Sequence, residues 1–160
     1  MRKLLQEVVL TTAQASITLA SIDQTYTDLE LEVSGIGTVG ADYFKINLNG
    51  DTGTNYSRTY LQGDGTSATS GRSSNIAFAD TTSGFDNTTP SAIYHRLLSY
   101  ANTAIYKTIL TRHGRADASV TATASLWRSL AAITQIAIAS AGTGGAQMAA
   151  GTTVRLWGVK

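Results

Sequence analysis

The hexapeptide Asp28-Leu29-Glu30-Leu31-Glu32-Val33 constrains this chain more than any other stretch. Apolar and acidic residues alternate through it, and side chains of a β-strand point to opposite faces in turn. Leu29, Leu31 and Val33 are therefore expected on a buried face, with Asp28, Glu30 and Glu32 in water. The same period returns in Tyr43-Phe44-Lys45-Ile46-Asn47-Leu48, with Phe44, Ile46 and Leu48 inward. Asn49-Gly50-Asp51-Thr52-Gly53 follows as a hairpin turn, because Asn and Gly accept the positive φ that tight turns need.

Further strand candidates lie on both sides. They are Glu7–Thr11, Ser16–Leu19, Tyr56–Leu61, Asn75–Ala79, Ser119–Leu126, Ile133–Ala139 and Thr153–Val159. In Tyr56–Leu61, Tyr56, Arg58 and Tyr60 face away from Ser57, Thr59 and Leu61. Gln62–Ser74 and Asp80–Pro90 are rich in Gly, Ser, Thr and Asp and read as loops, the expected places of variation and contact. The segment 91–112 carries a helical stripe (Ile93, Leu97, Tyr100, Ala104, Thr108) behind Pro90. Its Tyr, Ile and Thr content and the corner Tyr100-Ala101-Asn102-Thr103 favour two strands, Ala92–Ser99 and Ile105–Arg112. Many short strands with polar turns predict an all-β antiparallel sandwich. The 160 residues form one domain, 1–160, with 1–14 either an N-terminal arm or the first strand.

Composition narrows the function. A net charge of +1 with scattered Arg112, Arg115 and Arg128 argues against nucleic acid. Charged residues make up 14% of the chain and hydroxyl-bearing and small residues take their place, a surface suited to self- or partner contacts. No cysteine is present, which excludes disulfides and thiolate sites. Met1–Leu5 begins like a signal peptide, but Gln6 and Glu7 interrupt the apolar region. Glycines and glutamines break the uncharged run from Ser129 to Val154, so a soluble chain without a membrane partner is expected.

No catalytic, cofactor or metal residue is predicted. His95 and His113 form no H-x-x-x-H pair and read as ordinary surface or partly buried histidines. No G-x-S-x-G elbow occurs, and Gly142–Gly145 lacks the G-K-[ST] of a phosphate loop. Asn49–Asn55 lacks the second carboxylate and the distal Glu of a calcium loop and reads as a turn. Asn55-Tyr56-Ser57 and Asn87-Thr88-Thr89 match glycosylation sequons, which matter only in a eukaryotic secretory pathway. The aromatics are expected in the core or an interface rather than in sugar stacking. Trp157 alternates with Val154 and Leu156, which turns it outward, an exposure costly for a lone monomer. Trp157, Arg155 and Tyr60 are the candidate interface or glycan contacts.

Several stretches resemble a domain of tailed-bacteriophage virion proteins. They are Ser16–Leu19 leading to Tyr26–Leu31, Leu48–Tyr56, Tyr100–Thr103 with Tyr106–Thr108, Leu126–Ser129 with Ala132–Thr134, and Ala149–Lys160. They recur in order from about residue 16 to the end; the family's last strand more often carries Tyr where this chain has Trp157. The resemblance implies a jelly-roll-like sandwich and a structural or adhesive place on a virion, with no catalytic residue to carry over. The resulting expectation is a non-enzymatic, homotrimeric capsid decoration or cement protein on the head surface, in contact with the major capsid protein. The alternative is a receptor-binding or fibre module for host surface glycans. Because the chain opens on a strand candidate, an independently attached head protein is expected over a fibre tip. A glycan-cleaving enzyme would need paired carboxylates across a cleft, and Asp28, Glu30 and Glu32 share one strand face instead.

Overall fold

The computed structural model describes residues 1–40, 43–80, 84–141 and 145–160. Among them the chain forms twelve strands: β1 (Arg2–Val9), β2 (Ser16–Leu19), β3 (Asp28–Gly35), β4 (Phe44–Leu48), β5 (Tyr56–Gly63), β6 (Ala68–Ile76), β7 (Ala79–Asp80), β8 (Ser91–Leu98), β9 (Lys107–Arg115), β10 (Ser119–Trp127), β11 (Ile136–Ser140) and β12 (Thr153–Val159). All pairings are antiparallel, in an eight-stranded sheet β1-β12-β3-β8-β9-β10-β5-β6 and a four-stranded sheet β2-β11-β4-β7. The protein is an all-β, jelly-roll-like antiparallel sandwich.

Alternation builds the core between the sheets. Leu29, Leu31 and Val33 of β3, Ile93 and Leu97 of β8, and Val154 and Leu156 of β12 pack from the large sheet. Ile17 and Leu19, Ile136 and Ile138, and Phe44, Ile46 and Leu48 meet them from the small one. Phe85 crosses Phe44 edge-to-face, ring centroids 4.1 Å apart, and Trp127 and Tyr56 close one end of this layer. The segment 91–112 is two strands with the predicted corner: Ser99 takes φ 48° and the Asn102 amide donates to the Ser99 carbonyl.

Several boundaries and faces differ from expectation. The first strand starts at Arg2 and ends at Val9, because its partner is the last strand, a pairing no local pattern encodes. The predicted loop Gln62–Ser74 contains most of β6, which pairs with β5 along its length. β6 is a sheet-edge strand with mostly exposed Ser, Thr, Arg and Asn side chains, so it needs no apolar period. Asn75–Ala79 is split between the end of β6 and the start of β7. Asn49 and Gly50 do take positive φ, 52° and 70°, but the turn is not a hairpin: β4 pairs with β11 and β7, β5 with β10 and β6. The turn carries the chain from the small sheet to the large one. Of the second predicted loop, Asp80 belongs to β7, 84–90 is irregular, and 81–83 lie outside the described residues. Of the predicted glycine loop, 142–144 also lie outside them.

Candidate functional site

Register fixes which side chains share the outer face of the large sheet. One row across it reads Arg155, Glu32, Tyr94, Arg112, Ala122, Leu61, Ser70. The row beside it reads Trp157, Glu30, Arg96, Leu110, Ala124, Thr59, Arg72. On the other side lie Thr153, Ser34, Ala92, Gly114, Val120, Gly63 and Ala68. This face is concave, with two overlapping hollows of about 900 and 780 Å³ that share Leu61, Tyr94, Arg112 and Ala122. The larger is lined by residues of seven strands, from Arg155 of β12 to Ala68 of β6, so together they form a trench across the strands.

The floor of the trench is aliphatic. Val120 is 65%, Leu61 59% and Leu110 45% exposed. On β10 the alternation is inverted: Ser119, Thr121, Thr123 and Ser125 are buried, while Val120, Ala122 and Ala124 face solvent. β9 behaves alike, burying Lys107, Thr111 and His113 and exposing Leu110 and Arg112. Burying hydroxyls while leaving methyl groups in water runs against the usual partition of a free-standing sheet.

The other half of the face is a charged network built by β1. Arg2 pairs with Glu30 (2.9 Å) and with Glu32, and its guanidinium lies 4.1 Å from the centre of the Trp157 ring. Trp157 donates Nε1–H to Glu32 Oε2 at 3.0 Å. Partial burial opposes ionisation of Glu32, yet the bonds from Arg2 and Trp157 outweigh it and hold the carboxyl below its ordinary value. Burial and the hydrogen bond to Glu30 push the Tyr94 hydroxyl up to about 12. Arg96 holds Asp28 at 2.9 Å, and Arg155 holds Glu7 at 2.6 Å. The three acids of β3 are therefore not solvated: Asp28 and Glu30 are buried and Glu32 half-buried, because β1, Tyr94 and Arg96 cover them.

The sequence candidates separate. Arg155 reaches the trench wall, paired to Glu7. Trp157 stands on the same outer face, as its alternation required, but its own Glu32 and Arg2 half-bury it. Tyr60 alternates with Leu61 onto the other face of β5 beside Arg58, whose guanidinium lies 5.5 Å from its ring, and only borders the smaller hollow. Arg112, Tyr94 and the aliphatic floor were not singled out from sequence. The signal was the run Val120-Thr121-Ala122-Thr123-Ala124, which alternates but does not say which set faces out.

The histidines are fully inside, not at the surface, because β8 and β9 aim them between the sheets. Burial, reinforced by His113, pushes His95 down to about 3; burial, then Arg115, pushes His113 down to about 4. His95 Nδ1 sits 2.8 Å from Thr111 Oγ1, a hydroxyl partner rather than the carboxylate a catalytic base uses. Among the described residues no three His, Asp or Glu side chains gather to hold a metal ion. Asp51 of the Asn49–Asn55 turn accepts from the Gly53 amide, Asn55 and Trp127 Nε1.

No protein-family model and no curated protein matches this chain. Among solved structures it is similar to the galectin LEC-6 of Caenorhabditis elegans, with 10% identity, 94% of each chain covered and a TM-score of 0.40. It is also similar to the alginate lyase Aly36B, with 9% identity, 95% of this chain and 76% of that one covered and a TM-score of 0.37.

Proposed function

We propose that this chain is a tailed-bacteriophage virion surface protein that acts by binding rather than catalysis. Within that class we assign it as a homotrimeric decoration or cement protein that attaches to the major capsid protein on the head. The virion assignment rests on the ordered sequence pieces from Ser16 to Lys160. The binding role rests on one observation: β9 and β10 turn Leu110, Val120 and Ala122 outward and their hydroxyls inward. An exposed aliphatic floor in a concavity is surface that a protein partner would remove from water. Every described carboxylate of this face is already held by a guanidinium, so among the described residues no unpaired carboxylate is left to act as acid or base across the trench.

Gold-labelled antibody on intact particles of the encoding phage tests the placement. Label over the head, and a higher disruption temperature of bare capsids once the protein is added, are the expected results. Leu61→Asp with Val120→Asp should abolish that gain while leaving the chain folded, since both side chains are exposed. Absence of label from every part of the particle refutes the assignment.

A second reading, recognition of host surface glycans, draws on a different part of the trench. Tyr94 and Arg112 stand at the middle of its central row, where the two hollows overlap. Label confined to the tail tip would favour this reading.

A further inference from the structure

The five guanidinium groups on the concave face are not equivalent. Arg2, Arg96 and Arg155 take up all four of its described carboxylates, Asp28, Glu7, Glu30 and Glu32. Arg112 and Arg72 are exposed and make no hydrogen bond or ion pair among the described residues. Arg112 is the fourth of seven positions in the central row, with Tyr94 on one side and Ala122 and Leu61 on the other. A guanidinium offers a planar fork of donors that matches a carboxylate, and beside an aliphatic floor and half-buried Tyr94 its field is less screened than in open water.

Shape narrows the occupant. The larger hollow touches seven strands, so it spans six inter-strand spacings of about 4.8 Å, roughly 29 Å in all. That suits a linear oligomer better than a single small molecule. Backbone donors and acceptors within the sheet are consumed by the strand pairings, so an added peptide strand finds none free on this face. Recognition must come from side chains: Arg112, Arg155, Tyr94, Thr153 and Ser70 offer polar contacts, while Ala122, Leu61 and Leu110 offer a flat apolar floor for C–H faces. A sugar ring presents that combination of one apolar face and hydrogen-bonding edges.

We infer that the trench binds a linear polysaccharide bearing carboxylates, with Arg112 as the central anchor; Arg72, opposite Thr59 on the same outer face but outside the two hollows, is a second cation that a chain running past the β6 end would meet. The inference rests on the glycan reading above and names the chemical class that site takes. It places the contact on the concave face rather than on the loops flanking β6.

The test is calorimetric titration of the full chain with three linear polymers: polygalacturonate, polysialate and neutral dextran. Saturable binding to at least one acidic polymer, weakened by salt and absent with dextran, is expected. Arg112→Gln should weaken it at least about tenfold, the loss of one charge-assisted bidentate contact, whereas Lys3→Gln, which removes a charge on β1, should leave it unchanged. Equal losses from both variants would reduce the interaction to general electrostatics and overturn the inference. Saturable dextran binding that Arg112→Gln leaves intact would overturn it while sparing the glycan reading. No binding to any of the three, together with a blank host-glycan array, would remove both. An acidic peptide bound tightly enough to displace the polymers, while they bind only weakly, would hand the trench to a protein partner and overturn it as well.

Discussion

Trp127 joins three parts of the structure, so its replacement by Phe should cost more than a change of ring size. Its Nε1 donates to Asp51 Oδ2 at 2.7 Å, its ring lies 6.3 Å from that of Tyr56 at an interplanar angle of 20°, and it is buried. The Tyr56 hydroxyl in turn accepts the Leu48 amide at 2.9 Å. One cluster thus ties the end of β4, the crossing turn, β5 and β10. Trp127→Phe keeps the stack and removes the N–H. A hydrogen bond to a charged acceptor contributes roughly 1.5–3 kcal/mol and the unfilled volume about 1 more, so a loss near 3 kcal/mol is expected at pH 7. For a domain of this length that is a fall in Tm of roughly 6–12 °C. The Trp127 bond is the largest influence holding the Asp51 carboxyl below its ordinary value. A depressed carboxyl adds stability that is full above its unfolded pKa of about 3.9 and is lost as pH falls through the folded value. The gap between wild type and variant should therefore narrow below about pH 3. Urea unfolding at one protein concentration, at pH 7 and pH 2.5, measures it. Asp51→Asn, which keeps an acceptor without the charge, should fall between the two. A gap under about 1 kcal/mol at pH 7, or one equally wide in acid, would refute this account of the cluster.

His95 and His113 bind fewer protons folded than unfolded at any pH between about 4 and their ordinary 6.5, so stability should fall as pH drops through that window. Each histidine contributes on the order of 2–3 kcal/mol of that fall by pH 4.5, and replacing both with Gln should flatten the urea midpoint between pH 7 and 4.5; a wild-type midpoint already flat there would mean that the imidazoles are open to water. Gly158→Ala should destabilise by about 1–3 kcal/mol, because a Cβ there would stand 2.4 Å from Cγ of the Tyr26 ring. Adding Tyr26→Ala should recover part of that loss in a double-mutant cycle, and strict additivity would show that the ring is not what the methyl meets.

Where one face of a strand is buried and aliphatic, the sequence displayed it. β2, β4 and β12 were readable from period two, and the corner Tyr100–Thr103, one residue past the turn that Ser99 and Asn102 close, from its turn residues. Reading failed where non-local pairing did the work. β6 is held by backbone bonds to β5 with little side-chain burial, so a Ser/Thr/Gly run looks like a loop. The acids of β3 look solvated until β1, some thirty residues earlier in the chain, lays Arg2 over two of them. The trench stayed hidden for a sharper reason. On β10 the rule that apolar positions point inward gives the wrong face, because its threonines and serines are inside. Sequence alternation fixes which residues share a face; it does not fix which face is wet.

The N-terminal strand also sets the charge of the concave face. Without Arg2, Glu30 would lose its cation and Glu32 would keep only the Trp157 N–H at 3.0 Å. Without Glu7, Arg155 would keep only its row neighbour Glu32, three strand positions from Arg112. β1 thus supplies a cation where β3 is acidic and an anion where β12 is basic, so that with Arg96 three guanidiniums face four carboxylates at this end of the trench. Among the described residues the guanidiniums of this face without a carboxylate partner lie further along, Arg112 over the boundary between the charged network and the aliphatic floor, and Arg72 beyond it. A ligand that meets this face therefore encounters apolar surface with positive charge at the middle of the trench, and a second cation, Arg72, just outside it on the β6 side. A carboxylate near the centre of an otherwise weakly polar contact, as an acidic glycan chain would present it, satisfies both features.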